Sequence, residues 1–156
     1  MQYYFEHESN RQRLIEELES WRGTPYRHRC AIKSLGVDCI GFVLASYKNV
    51  GAIKLGAESL PKYTPLWHYH SDEERLYREF KHRRKKNFKE VSMSEIEDGD
   101  LIMYELGRVV GHCGIVFGDS VYQALSMVGV NKISRKDFSW NRRTRCVFKV
   151  ISKWEH

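Results

Sequence analysis

The four cysteines, Cys30, Cys39, Cys113 and Cys146, form no CxxC pair and have no zinc-ligand spacing. That disfavours a disulfide framework and a zinc site and favours free thiols, with a single bridge left open. No apolar run approaches the length needed to cross a bilayer, so no membrane segment is expected. The first residues, Met1 to His7, lack a basic stretch and an apolar core, and read as no signal peptide. Neither an internal repeat nor a low-complexity segment is visible, which excludes solenoids and disordered arrays. Aromatics interleaved with basic residues in a nucleic-acid motif are absent too, so nucleic acid is not an expected partner.

What is present suits one globular domain. The chain has 156 residues, of which 42% are hydrophobic and 13% aromatic, enough for one core and too many for disorder. We expect a single domain over residues 1–156 and a monomer. The formal net charge is +6 and the pI about 9.2. Such a balance suits an anionic partner: nucleic acid, a membrane surface or an acidic polymer such as bacterial wall.

Helical signals come first. Leu14, Ile15, Leu18 and Trp21 fall on one face of a helix over about Ser9 to Trp21. Gly23 and Pro25 end it. Ala52 to His70, with Pro61 and Pro65, reads as an ordered loop that Tyr63, Trp67 and Tyr69 can pack. A second helix is expected over Ser71 to Lys85, with Ser71 and Glu74 as a capping box. Its end is a dense basic run, Lys81 to Lys86, read either as a solvated helix end or as a docking patch for an anionic polymer.

The second half changes character. Leu101–Tyr104, His112–Phe117, Val121–Leu125, Val128–Val130 and Arg145–Ser152 read as strands joined by short turns, so their sheet should be antiparallel. A helical turn is expected over Arg135 to Trp140. Helices first and strands later give an α+β fold with about five strands.

The stretch that carries chemistry is Gly36-Val37-Asp38-Cys39-Ile40-Gly41-Phe42-Val43. Cys39 stands at the first turn of an apolar helix, where unpaired N–H groups and the helix dipole favour a thiolate. A buried small hydrophobe is the alternative. A cysteine nucleophile needs a base, most often a histidine held by a third polar group. His112, at the start of a core strand after Gly111, is the best placed of the seven histidines. His28 is the second candidate.

Four segments now join in order: Trp21-Arg22-Gly23-Thr24-Pro25-Tyr26, Gly36-Val37-Asp38-Cys39-Ile40-Gly41, Asp98-Gly99-Asp100-Leu101 and Gly111-His112-Cys113-Gly114-Ile115. Together they resemble the NlpC-type cell-wall cysteine peptidases, most closely the phage-tail-associated branch, over about Trp21 to Ile151. The resemblance implies a papain-like core in which the cysteine helix packs on an antiparallel sheet. It implies Cys39 as nucleophile, His112 as base and Gln123, before Ala124, as the third residue, where relatives often have histidine. Tyr26 and Asp38 match positions lining the pocket for the free amine of a peptide stem. Ile40 stands where serine is common, and Cys113, in place of a common valine, is read as core.

The implied activity is hydrolysis of peptidoglycan stem peptides, at the bond between γ-D-glutamate and diaminopimelate or lysine, with no metal or cofactor. The protein would be made in the cytoplasm and delivered to the wall by a phage tail, a secretion apparatus or lysis, so tail or secretion proteins are expected partners. The alternatives are a basic binding module for an anionic polymer and a papain-like acyl or amide hydrolase with another substrate.

Overall fold

The computed structural model describes residues 2–63 and 74–152. Helix α1 (Glu8–Ser20) buries Leu14 and Leu18, and Trp21 just beyond it is 1% exposed. Gly23 takes a positive φ of 86°, which turns the chain out of the helix at low cost for a residue without Cβ. A two-residue hairpin follows, β1 (Ala31–Ile32) with β2 (Gly36–Val37). It delivers the chain to α2 (Cys39–Asn49), apolar on nearly every side and buried from Cys39 through Leu44. A helix apolar all round belongs in a core, and α2 packs on the sheet strands β5 and β6 and on α1.

The sheet has six strands in the order β3 (Phe88–Val91), β8 (Thr144–Val150), β4 (Leu101–Leu106), β5 (Val109–Phe117), β6 (Ser120–Leu125) and β7 (Gly129–Ser134). Every pairing is antiparallel. The fold is α+β, with one strand more than the five expected. The unforeseen strand is β3, whose Phe-Lys-Glu-Val pattern is short and charged. It holds its place at the sheet edge by pairing with β8 and by burying Phe88.

The inner face of the sheet meets α1 and α2 in the main core, with Leu101, Met103, Cys113, Ile115 and Phe148 on the strand side. The outer face carries a smaller cluster of Ile102, Tyr104, Val116, Val121 and Val147. Alternation along a strand separates these two sets. Partly covering the outer face is α4 (Phe138–Asn141), a single turn capped by Asp137, which is the helical turn expected near Trp140.

Of the second helix expected from sequence, the described part is α3 (Arg75–Arg78), continued by a π-helical turn over Glu79–Arg83. Ser71 of the expected capping box, and Trp67 and Tyr69 of the loop, lie outside the described residues. The basic run at its end, Lys81 to Lys86, is exposed except at Arg84. Arg84 is 7% exposed. It donates to Glu79 Oε2 at 2.7 Å, to the Leu55 carbonyl at 2.6 Å and to the Gly56 carbonyl at 3.3 Å.

The motif Asp98-Gly99-Asp100 is a structural corner. Gly99 has φ 95°, and a Cβ there would stand 2.5 Å from the Phe5 ring, so this corner accepts only glycine. Its carbonyl takes the Tyr47 hydroxyl proton at 2.7 Å. Asp100, 4% exposed, accepts from Lys149 Nζ at 2.8 Å and from the Glu97 N–H at 2.9 Å. All four cysteines carry free thiols. No helix among the described residues is long and apolar enough to cross a membrane.

Candidate active site

The site is built around the first residue of α2. Asp38 is extended (φ −100°, ψ 179°) and caps the helix, its Oδ1 accepting the Gly41 N–H at 2.9 Å. A Cβ on Gly41 would approach that oxygen to 2.7 Å and the Cys30 carbonyl to 3.1 Å. The glycine two residues after the cysteine therefore keeps room for the cap. Capping of this kind is worth about 1 kcal/mol and fixes where the helix begins, which fixes the position of Cys39.

Asp38 does more than cap. Its Oδ2 accepts the Arg29 N–H at 2.9 Å and the Tyr63 hydroxyl. With 2% exposure, its oxygens are committed to protein donors rather than open to solvent. Asp38 also lines a cavity of about 310 Å³ with Arg29, Gly41 and Tyr63. Tyr26 is brought to the same place by main-chain bonds: Val37 N–H donates to the Pro25 carbonyl at 3.0 Å and Arg27 N–H to the Val37 carbonyl at 3.1 Å. Tyr26 is half-buried. Burial, and then the negative charge of Cys39 and Asp38 beside it, push its phenol well up.

His112 and Gln123 come from neighbouring strands. The β5–β6 ladder covers Ile115–Phe117 against Ser120–Tyr122 and stops there. Just past its end, His112 Nε2 lies 2.7 Å from Gln123 Oε1. Both residues are buried, at 4% and 0% exposure. The carbonyl end of an amide accepts, so Nε2 carries the proton and Nδ1 is left for the Cys39 thiol. Alternation puts Cys113 on the inner face, under α2, and His112 on the outer face. Both act on the Cys39 thiol at the start of α2.

Their joint effect decides the state of the sulfur. Hydrogen bonding from the Cys113 thiol, then from His112 together with its charge, outweighs burial and the Asp38 carboxylate and brings Cys39 down to about 6. Burial and the neighbouring Cys39 charge push Cys113 well up. The thiolate therefore belongs on Cys39 and the proton on Cys113.

Three contributors were not picked out from sequence. Cys113 was read as core, which its full burial agrees with, but its bond to Cys39 needs the register of β5 against α2. Tyr104 stacks on the His112 ring with centroids 5.9 Å apart, and Trp140 lies 4.9 Å from it. Apolar walls of this kind exclude water from the histidine. Beyond them runs a groove of about 570 Å³, lined by Ile102, Val121, Arg135 and Thr144 among others. The periodicity of β4 placed Tyr104 in a strand, and nothing in the sequence joined it to His112.

His28, the second candidate base, is held elsewhere. Its Nε2 lies 3.0 Å from the Tyr63 carbonyl and its Nδ1 4.0 Å from Asp38 Oδ2. Cys39, His112 and Gln123 are thus brought together, with Tyr26 and Asp38 on their flank and His28 behind Asp38. Among the described residues no group of three or more His, Cys, Asp or Glu is arranged to hold a metal.

The sequence profile of the NlpC/P60 family matches residues 23–149. The chain belongs to the NlpC/P60 family. The match takes in Tyr26, Asp38, Cys39, His112 and Gln123. Murein DD-endopeptidase MepS/murein LD-carboxypeptidase of Escherichia coli strain K12 is 26% identical over 142 residues, which is 90% of this chain and 63% of that protein. This NlpC/P60 chain therefore spans less than two thirds of that relative's length. A lipoprotein-like NLP/P60 protein from Staphylococcus aureus Mu50 superposes with a TM-score of 0.63 at 23% identity, over 93% of this chain and 42% of that one. The peptidoglycan hydrolase RipB of Mycobacterium tuberculosis superposes with a TM-score of 0.57 at 16% identity, over 94% of this chain and 67% of that one. These structures share the NlpC/P60 fold.

Proposed function

We propose that this protein is a cysteine endopeptidase that hydrolyses peptidoglycan stem peptides, at the bond between γ-D-glutamate and diaminopimelate or lysine. The observation that carries the reading is the buried His112, pinned to Gln123 at 2.7 Å, beside a Cys39 whose thiol it helps to lower. A core cysteine has no use for a buried histidine whose far nitrogen is pinned by a buried amide.

The proposed sequence of events follows from the geometry. The Cys39 thiolate attacks the scissile carbonyl. The backbone N–H of Cys39, at the start of α2, steadies the oxyanion. His112 protonates the leaving amine through Nδ1 and then takes a proton from the water that releases the acyl group. Gln123 keeps the ring oriented throughout. Tyr26, half-open beside the sulfur, is the proposed contact for the stem. Asp38 acts on a free stem amine through its field, since its oxygens already serve protein donors. Support for stem peptides as substrate comes from family membership and from the names of MepS and RipB. Delivery by a phage tail, a secretion apparatus or lysis rests on the sequence resemblance alone.

The test is digestion of purified muropeptides with mass analysis of the products, using wild type and Cys39→Ala. Fragments ending in γ-D-glutamate from wild type, and none from the variant, are expected. Products of DD-endopeptidase or LD-carboxypeptidase cleavage instead, the activities in the name of MepS, would move the bond assignment. Equal turnover by both proteins would overturn the peptidase reading.

A further inference from the structure

Gln123 is fully buried between His112 and strand β7. Half of its amide is engaged: Oε1 faces His112 at 2.7 Å. The other half, Nε2, is buried with no hydrogen-bond partner among the described residues. Directly across the β6–β7 ladder stands Asn131. Its Oδ1 is likewise buried and has no partner among the described residues. Opposed residues of an antiparallel pair project from one face, with Cβ atoms about 4.5–5.5 Å apart. An orphan donor and an orphan acceptor therefore share one cross-strand position. Each is costly to bury alone, and one bond satisfies both. The terminal torsions of Asn and Gln are broad, so a small amide rotation closes the gap.

We propose that Asn131 is a positioning residue for the active-site histidine: its side-chain carbonyl takes the second N–H of Gln123 and so fixes which end of that amide faces His112.

The choice of end matters because an amide is nearly symmetric in shape and opposite in chemistry. With Oε1 toward the ring, His112 holds its proton on Nε2 and offers a bare Nδ1 to the Cys39 thiol. Turned over, the amide presents N–H to Nε2. The ring proton then moves to Nδ1, and His112 has no lone pair for the thiol. An acceptor on the β7 side favours the first orientation only. Position 131 is held firmly enough for this duty, because the residue before it is tied by main-chain bonds: Val130 N–H donates to the Thr24 carbonyl at 2.9 Å, and Gly23 N–H donates to the Val130 carbonyl at 3.1 Å.

The inference rests on the Cys39–His112–Gln123 reading of the site and not on the choice of substrate, so the first readout uses no substrate. The rate of Cys39 alkylation by iodoacetamide is measured against pH in the full chain for wild type, Asn131→Leu and Asn131→Asp. Leucine keeps the size and removes the acceptor, whereas aspartate keeps the acceptor. We expect Asn131→Leu to lower alkylation at pH 6 and kcat on muropeptides by about three- to tenfold, with KM unchanged, as for loss of one neutral hydrogen bond. Asn131→Asp should restore both. Asn131→Ala replaces the leucine variant if that chain does not fold. An alkylation profile in the acceptor-free variant identical to wild type overturns the proposal, as does an aspartate variant that falls as far as leucine. A wild-type Cys39 inert at pH 6 would instead sink the reading of the site itself, and this inference with it.

Discussion

His112 and Cys113 are consecutive on β5, both buried, and both help to lower the Cys39 thiol at the start of α2. The Cys113 thiol, pushed well up by burial, keeps its proton and can offer it to the Cys39 thiolate. The pair shares one proton, and the surroundings decide which sulfur keeps it. His112 stands beside Cys39 and draws the charge to that end.

The first prediction concerns that proton. Cys39 lies below its ordinary value, at about 6. Its thiolate is therefore present above that pH and is lost as pH falls through it. Alkylation by iodoacetamide, followed by intact mass, should rise as pH increases through 6. In Cys113→Val the donor is gone, and the rise should move toward alkaline pH. An unmoved profile would show that Cys113 does not hold the charge in place.

The second concerns the histidine and its partner. Gln123 is neutral, so it orients the imidazolium without the Coulombic help that a carboxylate would give. Gln123→Ala should lower kcat by roughly ten- to a hundredfold, the size of a lost buried hydrogen bond of a few kcal/mol. His112→Ala should be close to inactive, because members of such a unit fail together. Full activity in Gln123→Ala would leave a Cys39–His112 dyad.

The third concerns Asp38. Asparagine can still accept from Gly41, but its NH2 group has no lone pair for Arg29 N–H and the Tyr63 hydroxyl. Asp38→Asn should therefore cost about 1–3 kcal/mol of stability in a denaturant melt. The Asp38 carboxylate raises the Cys39 thiol, so the same variant should shift Cys39 alkylation toward acid. Unchanged stability with weaker binding of free-amine substrates would instead make Asp38 chiefly a substrate contact.

How much of this was legible in the chain follows from the range of each interaction. The start of α2, its cap and the base strand were readable, because Asp38, Cys39 and Gly41 lie within one turn, and β5 announces itself by its apolar run. The Gln123 partnership was implied by a motif and not derivable from spacing, since it needs the end of the β5–β6 ladder. Strand β3 was missed because its charges mask a two-residue period, and Arg84 because a buried arginine looks like its exposed neighbours in a basic run. Cys113, Tyr104 and Trp140 become parts of the site only through strand register, which no local pattern carries.

The fourth prediction concerns the buried pair of Asp100 and Lys149. Desolvation raises Asp100 to about 6 against the opposing pull of Lys149, whose own ammonium is held charged by Asp100 and Glu97 against the opposing effect of burial. Removing Asp100 leaves the buried Lys149 ammonium only the exposed Glu97 carboxylate, so Asp100→Ala should cost up to about 3–5 kcal/mol. Asp100→Leu with Lys149→Met should cost less than either single change, because nothing charged is left buried. Additive losses in the double-variant melts would show that the two groups do not depend on one another.

The order of the sheet bears on when this molecule can complete its fold. Strand β8 lies between β3 and β4, although it is made after every other described strand. While a ribosome is still adding residues short of Thr144, β4 has only β5 beside it and β3 has no partner. Cys39 has by then been waiting for roughly a hundred residues of synthesis, at about 5–20 residues each second. A nascent chain of this protein thus holds Cys39, His112 and Gln123 before it holds the strand that joins β3 to the rest of the sheet.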